Sequence, residues 1–181
     1  DKTYDASHIN NESFVLVSVT SHIDREMCEL IAGENCNLPL VDESSARGSG
    51  FVISHNNSKT YIVTAEHVCN FKIKKPEELS DIVYQFVSIN KILLTDFNGN
   101  NHSATIKYAD KQNDICILES NGRWGKETPI ADKMPEHGER VYNIAAPYGI
   151  FSPGMALTFD GYYSGTDQWG NEVYPLPTRP G

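Results

Sequence analysis

Two residues whose side chains can take part in proton transfer, a histidine and an aspartate, each stand next to an apolar, β-branched run. His67 follows the run at residues 60–64, and Asp114 precedes the run at residues 115–118. An imidazole has an ordinary pKa of about 6.5, so it can take up and release a proton at neutral pH. A carboxylate on the other ring nitrogen fixes the tautomer of the imidazole and stabilises its protonated form. Such a pair activates a hydroxyl or thiol nucleophile.

The segments around these residues resemble known motifs. Residues 48–51 read Gly-Ser-Gly-Phe, and residues 64–67 read Thr-Ala-Glu-His at the end of the next strand-like run. This order resembles the histidine motif of the chymotrypsin-fold serine peptidases, most closely the trypsin-like branch that includes the HtrA proteins. Residues 109–118 are similar to the family's aspartate motif. Residues 143–149 are similar to the segment that opens a strand pair in the family's second barrel.

The resemblance covers residues 13–181, with an insertion-like stretch at residues 21–47. It implies that His67 acts as general base and then as general acid, and that Asp114 orients its ring. The order of His67, then Asp114, then a nucleophile is the order of the family.

Three other aspartates compete for the role of Asp114, and their contexts differ. The three are Asp81, Asp96, which stands beside the Phe-Asn-Gly-Asn turn, and Asp110, which precedes a polar run. Of the four, Asp114 heads an apolar strand in the way the aspartate motif requires, so we predict Asp114 as the partner of His67.

The nucleophile that the resemblance implies would lie after residue 181. The family motif is Gly-x-Ser-Gly-Gly, often introduced by Pro-Gly, and residues 180–181 are Pro-Gly. In this register Gly181 contributes a backbone N–H to the oxyanion hole, and the nucleophile is residue 183. A sheet that stops there would expose unpaired strand edges. We therefore expect further residues, in the same chain or on a second chain, to complete the second barrel.

Two serines inside the chain are weaker candidates for the nucleophile. Ser164 lies in Asp-Gly-Tyr-Tyr-Ser-Gly at residues 160–165, but it follows Gly149 too closely for the family, and a hairpin turn explains it better. Ser152 precedes Pro-Gly and is predicted to lie in a loop.

The cysteines leave several pairings open. Cys28 and Cys36 bracket a short span that a disulfide could close, whereas Cys69 and Cys116 either pack as small buried groups or form a disulfide. Each of the latter two stands two residues after His67 or Asp114, which raises a zinc site as an alternative. Spacing of this kind is not a structural zinc pattern, so we predict no metal and no cofactor.

The pattern around these residues is strand-like nearly throughout. A hairpin turn is predicted at residues 56–57, and Gly48 and Gly50 are predicted to allow close approach between strands. One helix is predicted over residues 24–32, a single turn over 66–71 and a linker over 120–126. The predicted strands are residues 13–20, 50–54, 60–64, 81–87, 88–95, 103–108, 115–119, 140–145 and 156–163.

Composition excludes several classes of protein. The 181 residues carry a formal net charge of −9, which gives no electrostatic footprint for nucleic acid. No apolar run is long enough to span a membrane. These features favour a secreted, periplasmic or virus-associated protein over a membrane-embedded one, and the residues shown include no signal peptide.

We therefore predict an all-β protein of two six-stranded antiparallel Greek-key barrels, with the second barrel incomplete. Residues 1–120 would form the first barrel, and residues 121–181 would begin the second. The implied function is a serine endopeptidase that acts on a protein or peptide substrate through an acyl-enzyme. Alternatives are a cysteine nucleophile in the same fold, and a catalytically inactive or partner-completed fold that acts as a binding module.

Overall fold

Six antiparallel strands close into a barrel in the order β1-β2-β3-β6-β5-β4. The computed structural model describes residues 10–33, 36, 43–168, 170 and 172–173. Closure gives each barrel strand two neighbours, which removes unpaired edges. The barrel strands are β1 (Phe14–Ile23), β2 (Glu43–His55), β3 (Lys59–Thr64), β4 (Ser88–Asp96), β5 (Asn101–Asp110) and β6 (Ile115–Asn121).

The barrel core follows from the alternation of apolar residues along the strands. On β1, Val15, Val17 and Val19 are fully buried, because successive side chains of a strand point to opposite faces. They meet buried residues of the facing strands and of the segment after β3, namely Val52, Ile62, Val68, Cys69, Ile92, Leu94, Cys116 and Leu118. The core therefore reaches the end of β3 and the start of β6, the two places next to His67 and Asp114.

The helix predicted over residues 24–32 is present as α1 (Arg25–Ala32). The Asp24 side chain accepts a hydrogen bond from the Met27 amide, which caps the first turn. Gly33 ends the helix with a φ of 56°, a conformation that glycine adopts without strain. A second, single-turn helix follows β3 as α2 (Glu66–Cys69).

The strand predicted over residues 81–87 is wrong, because this segment forms the helix α3 (Asp81–Val87). The Ser80 side chain accepts from the Val83 amide at 3.2 Å and caps the helix. Val83, Tyr84 and Val87 then fall on one helical face and pack in a small core beside α1. This packing outweighs the β propensity of the segment's Ile, Val and Phe residues.

A second set of strands follows the barrel. These strands are β7 (Arg140–Ala145), β8 (Phe151–Ser152), β9 (Met155–Tyr162), β10 (Gly165–Thr166) and β11 (Glu172–Val173). β7, β9 and β8 form a three-stranded antiparallel sheet, and β10 pairs with β11. The prediction of an all-β fold on a six-stranded antiparallel barrel is confirmed, and the described residues form no second closed barrel.

The three-stranded sheet contacts the first barrel through β8 and the β8–β9 turn, among other places. The rings of Phe14 on β1 and Phe151 on β8 lie 5.6 Å apart, within a small apolar cluster. The Gly154 amide donates to the Phe97 carbonyl at 2.7 Å, which joins the β8–β9 turn to the β4–β5 turn.

None of the helices in the described part of the chain is long and apolar enough to cross a bilayer.

Candidate active site

Strand β3 and helix α2 set the position of His67. β3 pairs with β2 and with β6, so its last residue, Thr64, is fixed in the barrel wall. The chain turns at Ala65 into α2, where Val68 and Cys69 are buried. Because these two side chains point into the barrel, His67 lies at the surface, with 56% of its side chain exposed.

The turn between β5 and β6 sets the position of Asp114. The Asp110 carboxylate accepts from the amides of Gln112 at 2.9 Å and Asn113 at 3.1 Å, which closes the turn. Asp114 has a φ of 53°, in the left-handed region that aspartate tolerates better than most residues. This conformation brings its carboxylate to α2, while β6 begins at Ile115.

His67 and Asp114 are in direct contact through both backbone and side chain. The His67 amide donates to Asp114 Oδ1 at 3.0 Å. His67 Nδ1 lies 3.0 Å from Oδ1 and 2.8 Å from Oδ2 of the same carboxylate. The geometry ties one aspartate to the ring and the backbone of one histidine at once.

The contact with His67 also affects the pKa of the Asp114 carboxyl and the tautomer of the His67 ring. The hydrogen bond from the His67 amide lowers the pKa of the Asp114 carboxyl, and the His67 ring adds to the effect against the opposing influence of burial. Asp114 is therefore ionised at neutral pH. An ionised carboxylate at Nδ1 keeps a proton on that nitrogen, so Nε2 becomes the basic nitrogen of the neutral ring.

The three competing aspartates are engaged elsewhere. Asp81 pairs with Lys75 at 2.9 Å. Asp96 lies 3.0 Å from a His102 ring nitrogen, and Asp110 closes its own turn. Of the four aspartates considered, Asp114 is the one that the structure brings to His67.

Gly48 and Gly50 permit tight packing behind the histidine. A Cβ on Gly48 would lie 2.6 Å from Cγ2 of Val68, the residue after His67. A Cβ on Gly50 would lie 2.8 Å from the carbonyl oxygen of Val63 on β3. The prediction of close approach between strands is confirmed for Gly50, whereas Gly48 allows close approach of the Val68 side chain on α2.

Ser49, between the two glycines, joins three parts of the molecule. Its carbonyl accepts from the Thr64 hydroxyl at 2.9 Å, which ties β2 to the end of β3. Its Oγ accepts from the Ala146 amide at 2.9 Å, just after β7. Ser49 therefore holds the second sheet against the barrel beside the histidine segment.

The remaining predicted site residues fall in three places. Gly181 lies outside the described residues. Ser164 follows β9, where its amide donates to the Val173 carbonyl and its hydroxyl lies 3.4 Å from the Tyr162 carbonyl. Ser152 ends β8, a short strand of the second sheet rather than a loop.

The four cysteines form two disulfides, Cys28–Cys36 and Cys69–Cys116. The sequence left these pairings open. A disulfide sulfur carries no thiolate, so Cys69 and Cys116 are not zinc ligands in this state. Within the described ranges, no group of three or more histidine, cysteine, aspartate or glutamate residues is arranged to hold a metal ion.

The bridge between Cys69 and Cys116 is the feature of the site that sequence analysis did not assign. Each cysteine stands two residues after His67 or Asp114, and this equal offset was a visible signal. The offset suggests a metal pattern from the sequence alone, whereas in the structure the two cysteines form a disulfide.

Barrel, histidine and aspartate together define a class of protein. The model of the trypsin-like peptidase domain matches residues 48–179, which include the Gly-Ser-Gly strand, the His67–Asp114 pair and the second sheet. The chain therefore belongs to the trypsin-like peptidase family, and its fold is that of the chymotrypsin-fold peptidases. A search of the curated proteins finds no match.

Proposed function

We propose that the protein is a serine endopeptidase in which His67 and Asp114 are two members of a Ser-His-Asp triad. The observation that carries the proposal is the contact of both Asp114 carboxylate oxygens with His67 Nδ1. This contact holds the ring in the orientation and tautomer that a general base requires. Membership of the trypsin-like peptidase family supports the same reaction class.

In the proposed reaction, His67 Nε2 takes the proton of the serine hydroxyl while the serine oxygen attacks the carbonyl carbon of the peptide bond. The same proton then passes from His67 to the leaving amine, the C–N bond breaks, and an acyl-enzyme remains. Water, deprotonated by His67, attacks the acyl carbon, and the ester bond to the serine oxygen breaks. His67 returns the proton to that oxygen, which regenerates the serine hydroxyl and releases the carboxylic acid product. Asp114 stabilises the imidazolium that forms twice in this cycle.

Gly181 and the nucleophile belong to the same proposal. The Pro-Gly at residues 180–181 places Gly181 two positions before the expected nucleophile at residue 183. The Gly181 amide would then donate to the oxyanion that develops on the carbonyl oxygen. One such donor contributes about 10²–10³-fold to kcat in related chemistry.

His67→Ala in the full-length protein tests the proposal. We expect kcat/KM for peptide hydrolysis to fall by about 10⁴-fold or more. Labelling of the nucleophile by a fluorophosphonate should be lost as well. His137→Ala is the matched control, because His137 is exposed and lies outside the His67–Asp114 pair. Unchanged proteolysis in the His67 variant would refute the proposed role.

The choice of inhibitor separates the alternatives. Labelling by iodoacetamide and not by a fluorophosphonate would identify a cysteine nucleophile in the same fold. Absence of both labelling and hydrolysis in the full-length protein, with folding intact, would favour a binding module that keeps the peptidase fold.

A further inference from the structure

The Cys69–Cys116 disulfide links the two segments that carry the proposed catalytic pair. Cys69 ends α2, two residues after His67, and Cys116 is the second residue of β6, two residues after Asp114. In the β3–β6 ladder, Cys116 stands opposite Thr64, the last residue of β3. Both cysteines are fully buried in the barrel core.

The segment around His67 has little intrinsic ability to hold its own geometry. The helix α2 comprises four residues, and a helix of one turn does not form without tertiary support. The Ala65 cap position also makes no side-chain hydrogen bond to the helix. The orientation of His67 therefore depends on what fastens α2 to the barrel.

The segment around Asp114 has the same weakness. Its left-handed φ of 53° costs conformational energy, so the turn keeps this conformation only where the surroundings impose it. The contact with His67 does not impose it alone. Half of the Asp114 side chain and more than half of the His67 side chain are exposed, and exposed ion pairs stabilise weakly.

We propose that the Cys69–Cys116 disulfide is the positioning element of the His67–Asp114 pair. The covalent link joins the end of α2 to the start of β6, and the histidine and the aspartate each precede one end of that link by two residues. A disulfide tolerates only a narrow range of Cα separations, here 6.5 Å, so it limits relative movement of the two segments.

The catalytic meaning of this inference rests on the proposed function, but its geometric content does not. The test compares two double variants of the same chain. Cys69→Ala with Cys116→Ala removes the link at the pair. Cys28→Ala with Cys36→Ala is the matched control, because that disulfide belongs to the separate small core beside α1 and α3.

The readouts report on the pair itself. We expect the carboxyl pKa of Asp114, followed by carbon-detected NMR, to lie below its ordinary value in the intact protein and in the control. Without Cys69–Cys116 it should return toward that ordinary value. Exchange of the His67 amide hydrogen, which is donated to Asp114, should accelerate at least tenfold in the same variant and not in the control.

Equal titration and equal amide exchange in both variants would overturn the inference. If the alanine pair does not fold, Cys69→Ala with Cys116→Val restores part of the lost volume in the core. If neither variant folds, amide hydrogen exchange in the intact protein is the test of the proposal. The His67 amide should then exchange as slowly as the core amides of Ile62 and Leu118, and fast local exchange would contradict the proposal.

Failure of this inference and failure of the proposed function are distinguishable. If the full-length intact protein hydrolyses no substrate, the peptidase proposal fails, yet the NMR comparison keeps its meaning. If the intact protein is active, kcat/KM should fall in the Cys69–Cys116 variant. KM should change less than kcat, and the Cys28–Cys36 control should retain activity.

Discussion

A buried carboxylate at the opposite end of β5 from Asp114 offers a quantitative test of the structure. Asp96 ends β4, and 7% of its side chain is exposed. Its Oδ1 accepts from the amides of Asn98 at 3.0 Å and Asn100 at 2.9 Å. Its Oδ2 lies 3.0 Å from His102 Nε2 and 3.1 Å from Asn100 Nδ2. His102 in turn stacks on Trp124 at 3.9 Å.

The substitution Asp96→Asn separates the two halves of this network. An amide oxygen can replace Oδ1 and keep both backbone hydrogen bonds. The amide NH₂ would then face His102 Nε2 and Asn100 Nδ2, which are donors in the present arrangement. Hydrogen bonds to charged groups contribute about 1.5–3 kcal/mol each, and part is recovered if His102 or Asn100 reorients. We therefore expect the free energy of unfolding to fall by about 2 kcal/mol at neutral pH.

The loss should depend on pH in a defined direction. Burial alone would raise the pKa of Asp96, but the hydrogen bonds from His102 and Asn100 outweigh it, so the net pKa is lowered. A pKa that is lower in the folded state stabilises the fold above the unfolded value, about 3.9 for aspartate. This stabilisation is lost as the pH falls through the lower, folded value. The difference between wild type and Asp96→Asn should thus shrink as the pH falls below about 4.

Urea denaturation at a series of pH values measures this difference. Asp110→Asn is the control, since Asp110 accepts the same kind of turn-closing bonds, from Gln112 and Asn113, but lies nearer the solvent. Its variant should lose clearly less stability. A neutral-pH loss for Asp96→Asn no larger than that of Asp110→Asn, or a loss that does not change in acid, would refute the reasoning.

Two further predictions concern packing and covalent links. Gly50→Ala should destabilise the barrel by about 1–3 kcal/mol, because the new methyl meets the backbone oxygen of Val63, which cannot rotate away; thermal denaturation measures the loss. Removal of Cys69–Cys116, with a separation of 47 residues, should cost about 4 kcal/mol, against about 2.5 kcal/mol for Cys28–Cys36 with a separation of 8. Denaturant titration of the two double variants gives this ranking, and a reversed order would contradict the loop-entropy argument.

The histidine and aspartate segments could be predicted from the sequence because their signals are local. An apolar run that ends in Thr-Ala-Glu-His, and an aspartate at the head of another run, both lie within a few residues. The α1 helix was predictable for the same reason, since Asp24 and Gly33 cap it within its own segment. Patterns of this range require no knowledge of which strands become neighbours.

The errors arose where tertiary contacts decide the local structure. Residues 81–87 contain Ile, Val and Phe, yet Ser80 and the small core beside α1 make them helical. The first part of β2, from Glu43 to Ser49, is not predicted from the sequence because its residues are polar or small. It forms a strand because its backbone pairs with β1, where Glu43 faces His22.

Local signals also could not supply the contact between His67 and Asp114 itself. The pair needs a single-turn helix and a left-handed aspartate, and neither is a stable local choice. Three long-range contacts compensate: the β3–β6 register, the packing of Gly48 on Val68, and the Cys69–Cys116 link. Each joins residues distant in sequence, so the geometry of the site is a property of the closed barrel. It follows that substitutions of the residues that make these three contacts should disturb the His67–Asp114 contact more than substitutions of exposed residues near the pair.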